Sequence, residues 1–315
     1  MFVSVVIPTY NRRPILEKCL LALEQQHTSG SPVERYEVVV VDDGSTDGTP
    51  NWLRQNADRF AHVRLIEQVH GGPAEGRNRG VDHAHGDVIV FIDSDLVVTP
   101  EFLAKHAEAL QHSWKRTGDR LCFTYGAVIN TTNFEKPTKE RHKLRDLSWA
   151  YFATGNVAID RSVLQRSGLF DTGFRLYGWE DLELGERLRR MKVRLIKCPE
   201  AVGYHWHPAL SMDQIPRLIE VEGERARMAL LFYRKHPTRR VRFIIQFTWL
   251  HRILWELLTL GGLINEQTLR PVLRWLLRRG FSGAAMELLR LPLNRIGVRA
   301  MFREARRDGL HCPAF

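Results

Sequence analysis

Residues 87–96 read DVIVFIDSDL, and this decapeptide decides the fold. The five residues 88–92 are all apolar and mostly β-branched, without the polar alternation of a half-solvated strand, so they read as a strand buried on both faces, as in a parallel sheet covered by helices. The run stops at Asp93-Ser94-Asp95. Upstream, the same grammar repeats. Residues 3–7 form a β-branched run ended by Pro8, and a helix follows in which Asn11 is the expected cap and Ile15, Leu16, Cys19, Leu20 and Leu23 recur at helical spacing. Residues 36–41 give a second buried strand ending in Asp42 and Asp43, after which Thr49-Pro50 is expected to open a helix as cap and first-turn proline. Residues 63–66 give a third strand, and Thr99-Pro100 is expected to begin the helix after the fourth. Strands alternating with amphipathic stretches imply an α/β fold with crossover helices.

In open sheets of this kind ligands bind beyond the carboxyl ends of the strands. The polar endings Thr9-Tyr10-Asn11, Asp42-Asp43-Gly44-Ser45 and Asp93-Ser94-Asp95 are therefore expected to share one crevice. Further on the pattern loosens, with a strand near 121–129, a polar basic loop over 130–145 and a second apolar run around 156–159.

At 315 residues, 44% hydrophobic and 26% charged, the chain is long enough for a sizeable core and too apolar for disorder. Cys19, Cys122, Cys198 and Cys312 are far apart and form no C-x-x-C pair, which argues against a disulfide framework or a zinc knot. The first residues, MFVSVVIPTYNRR, have the pattern of a strand and not of a signal peptide, so the expected location is cytoplasmic. Residues 236–315 hold 14 arginines, no lysine and 5 acidic residues, so nearly all of the net charge of +10 lies there. This region reads as helical throughout, with wide apolar faces and Trp249, Trp255 and Trp275. Its most apolar stretch, 243–264, is interrupted by Gln246, His251, Arg252 and Glu256 and makes a poor bilayer span. The expected organisation is an α/β domain over 1–210 and a basic amphipathic helical region over 211–315. The latter suits peripheral contact with an anionic membrane surface on its cytoplasmic face. Nucleic acid is not an expected partner, because no recognised binding module is present.

Two carboxylates one residue apart, Asp93 and Asp95, suit a hard divalent cation, Mn2+ or Mg2+, which would neutralise a departing diphosphate. D-x-D alone is also a common turn; its neighbours sharpen it. Together SVVIPTYNRR at 4–13, VVVVDDGSTDGT at 38–49, GGPAEGRNRG at 71–80 and FIDSDL at 91–96 resemble the family 2 glycosyltransferases of the GT-A fold, in order and in spacing, over residues 3 to about 207. The resemblance implies a nucleotide-diphospho-sugar transferase. Its sheet would be mixed and mainly parallel, flanked by helices, with a C-terminal helical appendage. It implies that Asp42 and Asp43 bind the donor's base, that Pro8 and Thr9 line the nucleotide, and that Arg77 lies near base and diphosphate. Asp93 and Ser94 would then face the donor, and Asp95, with Asp93, the metal. Gly76 replaces a usual alanine and His70 a common asparagine.

A second stretch, FRLYGWEDLELGERLRRMKVRLIKCPEAVGYHWHP at 174–208, resembles the G-W-x-x-E-D element of family 2 enzymes and of galactosyl- and N-acetylgalactosaminyltransferases. It implies Asp181 as catalytic base of an inverting displacement, with Glu180 at the acceptor hydroxyls. Trp179 and Trp149 are expected to stack on acceptor sugars. The resemblance also implies that a histidine after the matching strand completes the metal shell. His205 and His207 are expected on opposite faces, with His205, in V-G-x-H, the preferred ligand. The implied activity is hexosyl transfer from a nucleotide sugar, a UDP-sugar first, to a glycan or lipid-linked acceptor, as in polysaccharide synthesis. A nucleotidyltransferase would show a glycine-rich basic loop after the first strand, which PTYNRRPILE is not. A non-catalytic binding protein of the same fold has no need of Asp95, Asp181 and His205 together.

Overall fold

The computed structural model describes residues 1–143 and 150–310, which form two compact units. The first comprises Met1–Arg175 and Glu180–Pro208, the second Leu176–Trp179 and Ala209–Phe315.

The first unit is built on an eight-stranded sheet. Its strands are β1 (Phe2–Thr9), β2 (Arg35–Asp42), β3 (Val63–Glu67), β4 (Val88–Ile92), β5 (Leu96–Val98), β6 (Cys122–Thr131), β7 (Asn156–Asp160) and β8 (Arg194–Trp206), in the order β3-β2-β1-β4-β7-β6-β8-β5. The pairs β3-β2, β2-β1 and β1-β4 are parallel, β7 runs antiparallel to β4 and β6, and β6-β8 is parallel again. Helices α1 (Arg13–Glu24), α2 (Thr49–Gln55), α3 (Pro73–His83), α4 (Phe102–Thr117), α5 (Arg161–Arg166) and α6 (Glu180–Arg190) accompany it.

The runs that looked buried are buried: every residue of β4 and Val38 to Val41 of β2 is at most 1% exposed. At about 1.5–3 kcal/mol for each fully buried large side chain, these central strands dominate the core. The five apolar positions anticipated for α1 form its buried face. Crossover packing is close. A Cβ on Gly80 of α3 would come within 2.3 Å of Val6 Cγ1 on β1, and one on Gly76 within 3.2 Å of Pro8 Cβ, so the glycine at position 76 fits the tight approach there.

Local chemistry departs from expectation at three helix starts. Asn11 does not cap α1, whose N-cap is Arg12. It sits at φ 52°, and its Oδ1 accepts from the backbone N–H of Thr46 and Asp47, tying the β1 end to the loop after β2. Gly48, in the left-handed region, precedes α2, and Thr49 is already helical. Helix α4 begins at Phe102, because residues 96–98 first form β5.

The second unit contains α7 (Ile215–Lys235), α8 (Arg239–Ile244), α9 (Trp249–Leu258), α10 (Arg270–Arg278) and α11 (Ser282–Arg307). Part of its core is Ile215, Leu273, Ala285, Leu289 and Leu293. No described helix is long and apolar enough to cross a membrane.

Candidate active site

The ends of β1, β2 and β4 converge as their order requires. Residues 93–95 form the turn between β4 and β5. The short β5 then pairs antiparallel with β8, Leu96 opposite His205, and the Trp206 N–H donates to the Asp95 carbonyl. This pairing brings Asp95 beside the histidines. His205 Nε2 lies 2.8 Å from Asp95 Oδ1, and the two imidazole centroids are 4.1 Å apart. The expectation that His205 and His207 point to opposite faces is wrong, because side chains two residues apart along an extended chain share a face. Asp95, His205 and His207 each offer a ligand atom within 4.8 Å of the others.

Burial and mutual pairing set the charges in this cluster. Burial alone would raise the Asp95 carboxyl, but the hydrogen bond and charge of His205, with Arg12 at 3.6 Å, hold it below its usual range. Burial works against charge on His205, and the bond to Asp95 outweighs it, raising that imidazole. Burial and then the neighbouring His205 push His207 down to about 4, leaving it in the neutral form that ligates metals. One carboxylate and two imidazoles form a donor set that fits a divalent first-row ion.

How β8 reaches this point depends on residues that sequence reasoning did not single out. The β6-β8 register slips between Gly126 and Ala127. Asn156 fills the irregularity, donating to the carbonyls of Ala127 and Ala201, and a Cβ on Gly126 would lie 2.4 Å from Ala201 O. The buried His106 of α4 bonds Thr124 and Asn156, and burial pushes its pKa down to about 4. No local motif marks this network.

Arg77, on α3, is 5% exposed and makes the second connection. Its Nη1 donates to Glu180 Oε1 at 2.9 Å and its Nη2 to Asp93 Oδ1 at 3.1 Å. Burial opposes the guanidinium's charge, but Glu180, Asp93 and Asp181 together raise its pKa. The D-x-D turn and the start of α6 are thus held by one buried cation. Asp93 is committed to that bond, and the cluster of Asp95 with the histidines forms without it. Beside Arg77, Asn78 bonds both backbone groups of Phe170. Burial, then the adjacent Glu180 carboxylate, push half-buried Asp181 up to about 7 against the pull of Arg77.

At the ends of β1 and β2 the two aspartates differ. Asp43 accepts from Gln68 Nε2 and from the backbone N–H groups of Gly71 and Gly72, and lies 2.9 Å from His70 Nδ1, so it anchors the loop before α3. His70 also stacks on Tyr10. Asp42 accepts from Ser45 N through Oδ2, while its Oδ1, Thr9 Oγ1 and Gln68 Oε1 are buried without a hydrogen-bond partner. Pro8 and Ser94 line the same strand ends, Ser94 being buried. Trp179 belongs to the helical unit, where its Nε1 donates to the Arg225 carbonyl and the Arg225 guanidinium lies over its ring. Trp149 lies outside the described residues.

Parallel strands ending in carboxylates, with an Asp-His-His cluster at the antiparallel edge, define a GT-A sugar-transferase architecture. Residues 4–168, more than half of the chain, match the model of glycosyl transferase family 2, and the chain belongs to that family. It is 28% identical over 270 residues to the uncharacterized glycosyltransferase YfnE of Bacillus subtilis (strain 168), the match covering 68% of each chain. Over 271 residues it is also 28% identical to validoxylamine A glucosyltransferase of Streptomyces hygroscopicus subsp. jinggangensis (strain 5008), covering 75% of this chain and 61% of that one. Among solved structures, mannosyltransferase PcManGT from Pyrobaculum calidifontis, in complex with GDP-Man and Mn2+, aligns with a TM-score of 0.54 at 22% identity. That alignment covers 98% of this chain and 76% of that one, a likeness of fold. The nucleotidyltransferase alternative is not favoured by these matches.

Proposed function

We propose that the chain transfers a glycosyl group from a nucleoside diphosphate sugar, a UDP-sugar first, to an acceptor hydroxyl with inversion at the anomeric carbon. The observation that carries this reading is Arg77 bonded at once to Asp93 and Glu180, since it couples the donor turn to the carboxylate pair at the head of α6. The buried, unpartnered oxygens of Thr9, Asp42 and Gln68 are acceptors for the N–H groups of a base, because a buried polar atom without a partner is costly. Asp95, His205 and His207 hold the cation, with Mn2+ favoured over Mg2+ by two nitrogen ligands. When bound, it supplies positive charge to the leaving diphosphate.

Asp181 acts as the base. As the acceptor oxygen bonds to the anomeric carbon, the bond from that carbon to the diphosphate oxygen breaks, the nucleoside diphosphate leaves with the electron pair, and the hydroxyl proton passes to Asp181. A carboxyl raised to about 7 accepts a proton more readily than an ordinary one and is still largely ionised just above neutrality. Glu180, fixed by Arg77, orients the acceptor. Here Gly178-Trp179-Glu180-Asp181 is the counterpart of the acidic G-W element of galactosyl- and N-acetylgalactosaminyltransferases, and the glycan or lipid-linked acceptor places the reaction in polysaccharide or glycolipid assembly.

A thermal-shift screen of UDP- and GDP-sugars tests this, because a ligand bound only by the folded state raises apparent stability. Stabilisation by at least one donor in Mn2+, lost in EDTA, is the expected result. No stabilisation by any donor would overturn the reading.

A further inference from the structure

Helix α9 is turned inside out. Its polar side chains face the rest of the helical unit: Glu256 accepts from Arg295 and Arg299 of α11, Trp255 Nε1 donates to Gln246, and His251 bonds its own cap, Thr248. Its apolar side chains face outward. Leu250, Ile253 and Leu257 are 51%, 56% and 68% exposed, and no residue of the helix is buried. An amphipathic helix on a water-facing surface is oriented the other way, so the ion pairs to Glu256 hold α9 in a position that water alone disfavours. The apolar face continues through the turn after α9, where Leu260 and Leu263 are 62% and 73% exposed.

Helix α10 begins after eleven intervening residues and carries charge. Arg270, Arg274 and Arg278 recur every fourth residue, all exposed, and none has a carboxylate at ion-pair distance among the described residues. Trp275, 55% exposed, lies on the same helix with Arg279 over its ring.

We infer that α9, the turn after it and α10 form a docking surface for an anionic lipid bilayer, lying in its interface with the leucines in the acyl boundary and the arginines among the headgroups. Charge selects this occupant. A second copy docked face to face would oppose one arginine row with another, whereas an anionic leaflet attracts each of them. The lengths agree with lying on the membrane and not crossing it, since no described helix is long and apolar enough to span.

The test is co-sedimentation of the full chain, without donor sugar, with vesicles of phosphatidylcholine alone and of phosphatidylcholine containing about one third phosphatidylglycerol. The outcome is independent of the transferase reading, which vesicle binding does not touch. Binding to the anionic vesicles, weak binding to the neutral ones, and weakening with salt are expected. The triple change Arg270→Gln, Arg274→Gln and Arg278→Gln should lower affinity about 100-fold, at roughly fivefold for each arginine at the headgroup layer. Ile253→Gln with Leu257→Gln and Leu260→Gln alters only exposed side chains, so it should fold normally by circular dichroism and still lose the vesicles. Wild-type protein left in the supernatant, or either triple variant pelleting like wild type, would overturn the inference. So would a concentration-dependent dimer that the apolar triple change dissolves while wild type ignores vesicles, which would give the face to a second copy.

Discussion

Asp181→Asn separates a catalytic base from a structural acid, because the two roles predict opposite changes in stability. The folded-state pKa is raised from 3.8 to about 7. The folded protein therefore holds this proton more tightly than the unfolded chain, and stability falls as pH rises from about 4 to about 7. A shift near 3 units at ~1.4 kcal/mol each sets a ceiling of ~4 kcal/mol, and screening on the solvent side of this half-buried group brings the expected cost to roughly 1–2 kcal/mol. Asparagine cannot ionise. At pH 8 the variant should resist urea better than wild type by about that amount, and at pH 4 the difference should vanish. Turnover at saturating donor and acceptor should fall about 10² to 10⁴-fold, with donor affinity nearly unchanged. The assay pairs steady-state kinetics with urea unfolding at both pH values. A merely helix-terminal acid predicts a loss of about 0.5–1 kcal/mol at pH 8 with turnover intact, and that result would refute the reasoning and make Glu180 the next candidate base.

Arg77→Met should be costly at about 3–5 kcal/mol, because it leaves the buried Glu180 carboxylate without its partner, and chemical unfolding measures it. His207→Ala and His205→Ala should each weaken Mn2+ binding at least about tenfold in a direct metal titration, the loss of His207 being the sharper check on the shared face of the pair. In wild type, kcat/KM should rise with pH and level off above about 7 as Asp181 ionises, and a flat profile between pH 5 and pH 8 counts against it. Gly80→Ala should destabilise by about 1–3 kcal/mol, since its methyl would meet Val6 within 2.3 Å.

Much of the sheet was legible because its central strands are buried on both faces and therefore appear as unbroken apolar runs, as at 38–41 and 88–92. What escaped the sequence depends on distance along the chain. Strand β5 has three residues and exists through its pairing with β8, more than a hundred positions later. Arg77 was singled out by its motif, but its bonds to residues 93 and 180 are not visible in the sequence. Asn11 resembled a helix cap because short polar side chains serve both caps and turns, and here the turn at 46–47 claims it. His205 and His207 were separated by an error of strand geometry, not by any missing signal. Asn156 and His106 carry no motif; their importance comes from the register slip they fill.

The most direct measurement is nucleoside diphosphate release from the stabilising donor, made with Mn2+, with EDTA, and with Mn2+ added back, for wild type and Asp95→Asn. Release by wild type in Mn2+, its loss in EDTA, its return with metal, and little release by the variant under any condition is the expected pattern. Full release by wild type in EDTA, or wild-type rates from Asp95→Asn, would contradict a transferase whose donor is held through the Asp95, His205 and His207 cluster.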